Sequence, residues 1–299
     1  MWPIHLDLGF WVVHFYEGFY ILLSVVAASL MAWRRLRTAG QDAGLFLDGL
    51  PWILLGAILG ARIFHFLFWD WSALWATPLS FFQIWGGGYS ITGGLAGGVV
   101  TAYFRFKHGR IDFWSTFASA SPALLVGQAL GRIGCFLNGD AWGIPTHLPW
   151  GVSLPKFGTM VPGFVRDVQV PSEAWLWSVR QGFTDPRSLI TVPLHPTQLY
   201  EALGDLLLVA LILWLIRRLA RSKRLGLLVL WAHLGGYSLI RFGLEFLHGD
   251  RDAVIIGGMT ALQIALLAFA AMGTVAFVRA GVNDARCGGT PTNATPETK

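Results

Sequence analysis

The sequence predicts an all-α polytopic membrane protein with about seven transmembrane helices, and three observations carry that expectation. Hydrophobic residues make up 54% of the 299 and charged residues only 13%, about half of the roughly 25% found in an ordinary soluble domain. The mean hydropathy is positive, at +0.55. Apolar runs of about 20 residues, long enough to cross a hydrocarbon core, recur at about 10–32, 50–69, 86–104, 113–138, 197–216, 225–247 and 254–278. This composition excludes a disordered chain and argues against a soluble one. Fifteen Trp and 21 Phe suit bilayer interfaces. Cys135 and Cys287 are the two cysteines, too few for a disulfide framework or a zinc site.

The elements follow in order. The first span lacks a small-residue cleavage site behind its apolar run, so it reads as a retained helix. Arg34, Arg35 and Arg37 follow it. Gly56/Gly60 in the second span, Gly94/Gly98 in the third and Gly127/Gly131 in the fourth have the spacing that lets membrane helices approach closely. Asp70 to Trp85 carries five aromatics and no basic residue, as expected of a piece lying along the membrane surface. Gly86-Gly87-Gly88 and Gly93-Gly94 predict irregular backbone at membrane depth, which is tolerated where it lines a protein or water cavity. Residues 139–196, rich in Pro, Gly and Trp, form the one large extramembrane segment and predict a small head of loops and short strands. His195-Pro196 opens the fifth span as a cap with Pro at the first helical position.

Loop charge sets the orientation. Fourteen of the 22 Lys and Arg lie on one side, after the first, third and fifth spans and in the tail; five lie on the other. Basic loops stay cytoplasmic, so the N-terminus is expected outside, the C-terminus inside, and the 139–196 head outside between helices four and five. One transmembrane domain then covers 1–280, followed by a polar cytoplasmic tail over 281–299. The net charge of +5 is accounted for by topology, and no nucleic-acid partner is implied.

Arg62, Arg132 and Arg241 remain, inside the spans. Ionisable groups there are costly and mark function. With the orientation above, Tyr16 and Glu17, Arg62, Thr92, Arg132 with Asn138 and Asp140, His195 with Gln198 and Glu201, and Arg241 with Glu245 all fall in the outer half. Gln198, Glu201 and Asp205 share one helix face. This predicts one polar cavity under the outer leaflet. Guanidiniums pair with phosphate through charge-assisted bidentate bonds, so an anionic lipid headgroup is the expected ligand. The carboxylates in the same zone would orient them or handle protons.

These residues carry a family resemblance. Gly131-Arg-Ile-Gly-Cys-Phe-Leu-Asn-Gly-Asp-Ala-Trp-Gly143 and His195-Pro-Thr-Gln-Leu-Tyr-Glu201 resemble the signatures of bacterial prolipoprotein diacylglyceryl transferases. Arg241-Phe-Gly-Leu-Glu245, Gly60-Ala-Arg62 and His14-Phe-Tyr16 are similar to further motifs of that family, in the same order over about residues 10–275. The resemblance implies an inner-membrane, multi-pass enzyme with its active site toward the outer leaflet. It would move the diacylglyceryl group of phosphatidylglycerol onto the lipobox cysteine of a prolipoprotein and release glycerol phosphate. No metal or organic cofactor is implied. Arg132, Arg241, Glu201, Asp140 and Glu245 would be catalytic; Tyr16, Arg62, Thr92, Asn138, His195 and Gln198 would bind the headgroup. The two arginines would meet the leaving phosphate, Glu201 and Glu245 would orient them, and Glu201, Asp140 or His195 would take the thiol proton.

Three positions depart from the family pattern: Thr92 where a His is usual, Cys135 for Asn and Asp140 for Glu. Thr92 removes a group that titrates near neutrality. It points to the other function class, a phosphatidylglycerol-binding paralogue without turnover or with a different acceptor. The matching Arg132, Asn138, Glu201, Arg241 and Glu245 point to turnover. Cys135 is expected to pack rather than react.

Overall fold

The computed structural model describes residues 5–7, 12–14, 17–68, 70–82, 90–109, 112–159, 170–249, 251 and 254–288. Seven long helices appear among them: α1 (Glu17–Thr38), α2 (Ala43–Phe68), α4 (Ile91–His108), α5 (Phe113–Asn138), α7 (Thr197–Arg218), α8 (Leu225–Glu245) and α9 (Ala261–Gly288). Between α2 and α4 lie the short α3 (Trp71–Ala76) and a 3₁₀ turn, Pro78–Phe82. The hairpins β1 (His5–Asp7)/β2 (Val12–His14), β3 (Phe157–Thr159)/β4 (Val170–Pro171) and β5 (Val254–Ile256)/β6 (Met259–Thr260) complete the fold, with α6 (Glu173–Arg180) in the head. The all-α polytopic class expected from composition is the class observed. Helices α2, α5, α7, α8 and α9 are long and apolar enough to cross a membrane.

Several boundaries move. α1 starts at Glu17 rather than about residue 10, because Val12–His14 pairs with His5–Asp7. It runs on to Thr38, through Arg35 and Arg37 in its last turn, where positive charge favours the helix dipole. α9 starts at Ala261 rather than 254. Val254–Ile256 is a β-branched run, and it turns at Gly257 and Gly258, both with positive φ (59° and 78°), the geometry of a two-residue hairpin. α9 continues to Gly288, into the segment expected as tail; residues 289–299 lie outside the described residues. Pro196 is itself the cap of α7, and the helix begins at Thr197. The head contains a helix, α6, where loops and strands were expected; Ser172 caps it, accepting from the Trp175 N–H at 3.4 Å.

The long helices pack as antiparallel neighbours, α2 with α4, α1 with α5, and α5, α7, α8 and α9 in succession. Gly56 and Gly60 meet Gly93 and Gly97, one residue before the pair expected from spacing. A methyl at Gly60, Gly93 or Gly97 would collide with a facing backbone carbonyl. A methyl at Gly94 or Gly98 would make ordinary contact. The surface piece after α2 exposes Trp71, Trp75, Leu79 and Phe82; residues 83–85 lie outside the described part. The basic ends of α1, α4 and α7 fall at one end of the bundle, and the C-terminal ends of α5 and α8 with the N-terminal end of α7 at the other.

Candidate active site

Three helix ends and one turn build the polar end of the bundle. α5 stops at Gly139, whose left-handed conformation (φ 80°) lets its N–H reach the Cys135 carbonyl at 2.8 Å. The chain then folds back through Ala141, a non-glycine residue at positive φ (53°). That conformation costs energy, and the start of α7 holds it. The Thr197 hydroxyl donates to the Ala141 carbonyl at 2.7 Å, and the Gln198 amide donates to the Asp140 carbonyl at 2.6 Å. Gly143 donates to the His195 carbonyl at 3.1 Å, Ile144 to the Leu247 carbonyl at 2.9 Å, and Gly249 to the Trp142 carbonyl at 2.8 Å. A Cβ at Gly143 would overlap His195 and crowd the Leu247 carbonyl. The 139–144 turn is thereby stitched to α7 and α8 at once.

This frame sets two ion pairs. Arg132 meets the Glu201 carboxylate at 2.9 Å, and Arg241 meets Glu245 at 2.9 Å one turn along α8. The carboxylate side chains are 1% and 4% exposed, whereas the guanidinium-bearing ones are 17% and 16% exposed. The acids are thus the buried anchors, and the arginines are the more exposed partners. The Tyr237 hydroxyl donates to Glu201 at 3.2 Å and lies within electrostatic range of both arginines. Arg241 Nη1 and Glu201 Oε2 are buried and have no hydrogen-bond partner among the described residues. Such groups are costly unless something satisfies them, and a guanidinium N–H without an acceptor suits an anionic oxygen.

Sequence reading did not single out Tyr237. The signal was available: Tyr237, Arg241 and Glu245 recur every four residues on one face of α8, and His233 extends the stripe inward. His233 meets the Ser121 hydroxyl of α5 at 2.8 Å. Asp205, one turn from Glu201, is completely buried, and neither oxygen has a hydrogen-bond partner among the described residues.

The remaining expected residues are placed differently. Arg62 is buried on α2, donating to the Ser80 and Phe81 carbonyls and lying over the Phe66 ring. It clamps the 3₁₀ turn. His195 meets the Tyr200 hydroxyl at 3.3 Å, which also accepts from the Trp150 indole at 2.7 Å. Burial pushes the imidazole below its usual range, leaving it neutral at pH 7. Asn138 ends α5 and Thr92 lies in the first turn of α4; their side chains, and all of Tyr16 and Gly86–Tyr89, fall outside the described part. Cys135 follows Arg132 by one turn and forms no disulfide among the described residues. Among the described residues no three His, Cys, Asp or Glu side chains group as metal ligands.

A family model described as prolipoprotein diacylglyceryl transferase matches residues 3–279. A phosphatidylglycerol–prolipoprotein diacylglyceryl transferase of Stenotrophomonas maltophilia is 33% identical over 283 residues, covering 92% of this chain and 90% of its own. Enzymes of the same name from Thermosynechococcus vestitus (32% over 273 residues; 90% and 89%) and Pseudomonas fluorescens (31% over 248 residues; 82% and 79%) are also similar.

Proposed function

The chain belongs to the prolipoprotein diacylglyceryl transferase family, and from that membership we propose that it transfers the diacylglyceryl group of phosphatidylglycerol to the cysteine thiol of a prolipoprotein. The observation that carries the reading is the pair of partly exposed guanidiniums, Arg132 and Arg241, each backed by a buried carboxylate. The thiol sulfur attacks the terminal glyceryl carbon. A carbon–sulfur bond forms as the bond from that carbon to the phosphate oxygen breaks. Glycerol phosphate leaves with the bonding electrons, and the thiol gives up its proton.

The leaving phosphate gains negative charge in the transition state, so fixed cationic donors in a dry site stabilise it most where the reaction needs it. Arg132 and Arg241 fill that role. Glu201 and Glu245 keep the forks in register, and Tyr237 holds Glu201. The thiol proton goes to Glu201, Asp140 or the neutral His195. A free thiol has a pKa near 8.5, and a few per cent is already thiolate at neutral pH. A His at position 92 is therefore not obligatory. Gln198 holds the turn beneath the headgroup through the Asp140 carbonyl, and Tyr16, Arg62, Thr92 and Asn138 are the further residues assigned to headgroup binding. The site opens toward the outer leaflet of the bacterial inner membrane, and the acceptor is a lipobox peptide. Thr92 is the observation that favours a second reading, phosphatidylglycerol binding without turnover or transfer to another acceptor.

The test uses purified full-length protein in bilayer discs with phosphatidylglycerol and a lipobox peptide. Glycerol phosphate release together with the peptide mass gain of a diacylglyceryl group is expected. Lipid binding with no peptide modification would sink the transferase reading in favour of the second.

A further inference from the structure

At the end of the bundle opposite Arg132 and Arg241 a second polar space opens. It is a cavity of about 1000 Å³ between the C-terminal end of α1, the N-terminal end of α5 and the α7–α8 turn. Arg35, Lys223 and Arg224 line it. Among the described residues no carboxylate pairs with any of the three. Asp112, the one acid on the wall, is spent capping α5 through the Ser115 N–H at 2.8 Å. The Arg35 Nε donates to the Ser119 carbonyl at 2.8 Å, which fixes that guanidinium in the wall, and Arg217 adds like charge beside it. Gln41 lies on the same wall, its amide nitrogen donating to the Ser115 hydroxyl at 2.6 Å. Cations gathered around a large cavity without counter-charge repel one another, and an anion relieves that repulsion. Basic pockets between transmembrane helices on the basic-loop side hold anionic headgroups. Ala118, Ile216 and Leu225 line the same cavity, offering apolar surface to whatever carries the anion.

We propose that this cavity is a second phosphate site, distinct from the active site, that holds the phosphate of an anionic phospholipid from the opposite leaflet. The guanidinium of Arg35 and the charges of Lys223 and Arg224 meet the phosphate oxygens.

The probe is phosphatidic acid at a low fraction in phosphatidylcholine discs, with bound lipid counted by native mass spectrometry on the full-length protein. Because the active site can hold an anionic lipid of its own, the reading is the difference between wild type and a variant of the cavity. At a lipid level that just saturates wild type, wild type should carry one phosphatidic acid more than K223A/R224A. Lys223 and Arg224 lie exposed on a turn, so K223A/R224A is expected to fold with an unchanged melting temperature. It should bind that lipid about 30-fold more weakly, at the usual energy per basic residue near a membrane surface. Millimolar inorganic phosphate should leave the lipid in place. If it displaces phosphatidic acid from wild type, the occupant is a soluble phosphate and the lipid assignment falls. If K223A/R224A holds the lipid as tightly as wild type, the cavity is not an anion site. Neither result bears on turnover at Arg132, which is read in the separate transfer assay.

Discussion

Arg132 can be perturbed in two ways that the geometry separates. Its guanidinium pairs with Glu201 at 2.9 Å, and the Glu201 side chain is 1% exposed. Arg132→Ala would leave that carboxylate with one donor among the described residues, the Tyr237 hydroxyl at 3.2 Å. Stranding one member of a buried pair costs about 3–5 kcal/mol, a large share of the roughly 5–15 kcal/mol that holds a domain folded. Arg132→Lys keeps a charge against Glu201 but loses the planar fork. The fold should survive, while the guanidinium N–H groups beyond the one that meets Glu201 are gone. Removal of one preorganised donor to developing charge lowers kcat by about 10²–10³-fold. The assays are glycerol phosphate release and thermal melting, on wild type and both variants in bilayer discs. The expected pattern is Lys folded and slow, Ala unstable. A Lys variant turning over at the wild-type rate would remove the phosphate role from Arg132. An Ala variant as stable as wild type would show that Glu201 is not a buried anchor.

Four other expectations follow from the same structure. Gly143→Ala drives a methyl into His195, so it should cost about 1–3 kcal/mol as an overpacked site and depress activity through the displaced turn; an unchanged melting temperature would contradict the stitch between the 139–144 turn, α7 and α8. Asp205→Asn offers a donor to Glu201 Oε2, one turn away and without a partner among the described residues; one net hydrogen bond, about 1 kcal/mol, should raise the melting temperature by about 2–4 °C, and a fall would mean that Asp205 is needed as an acid. A reporter fused after Lys299 should be cytoplasmic and a tag near residue 160 external, and the reverse would invert the site's assignment to the outer leaflet. Thr92→His restores a group able to act as a general base, a contribution of about 10²–10⁴-fold where nothing else serves; no gain in turnover would place the proton on Asp140, Glu201 or His195.

Fold class, the number of long helices and the polar motifs were legible in the chain alone, because each is local or compositional. A bilayer demands about 20 apolar residues per helix, and that demand is written as uninterrupted hydrophobic runs. Arg132, Glu201, Arg241 and Glu245 stood out for a related reason: charge inside an apolar run is costly wherever the helix packs. Some of what was missed was also local. Val254–Ile256 before Gly257-Gly258 spells a hairpin, but its hydrophobicity passed for the start of a helix. The four-residue recurrence of Tyr237, Arg241 and Glu245 was there to be read. Pairing was not. Nothing in the spacing of Gly93, Gly94, Gly97 and Gly98 says which two face Gly56 and Gly60, since both choices satisfy the same repeat and helix rotation about the contact decides. Arg62 looked like the other membrane arginines until its partners were seen to be the carbonyls of a 3₁₀ turn nearly 20 residues away in sequence. That Glu201 reaches Arg132, 69 residues earlier, while Glu245 stays with Arg241, depends on how α5, α7 and α8 are locked by the turn through Gly139, Ala141 and Gly143. Sequence determines which groups must find partners inside the membrane; only tertiary packing decides which partners they find, because charge and hydrogen bonding act through space at about 3 Å and chain order does not set those distances.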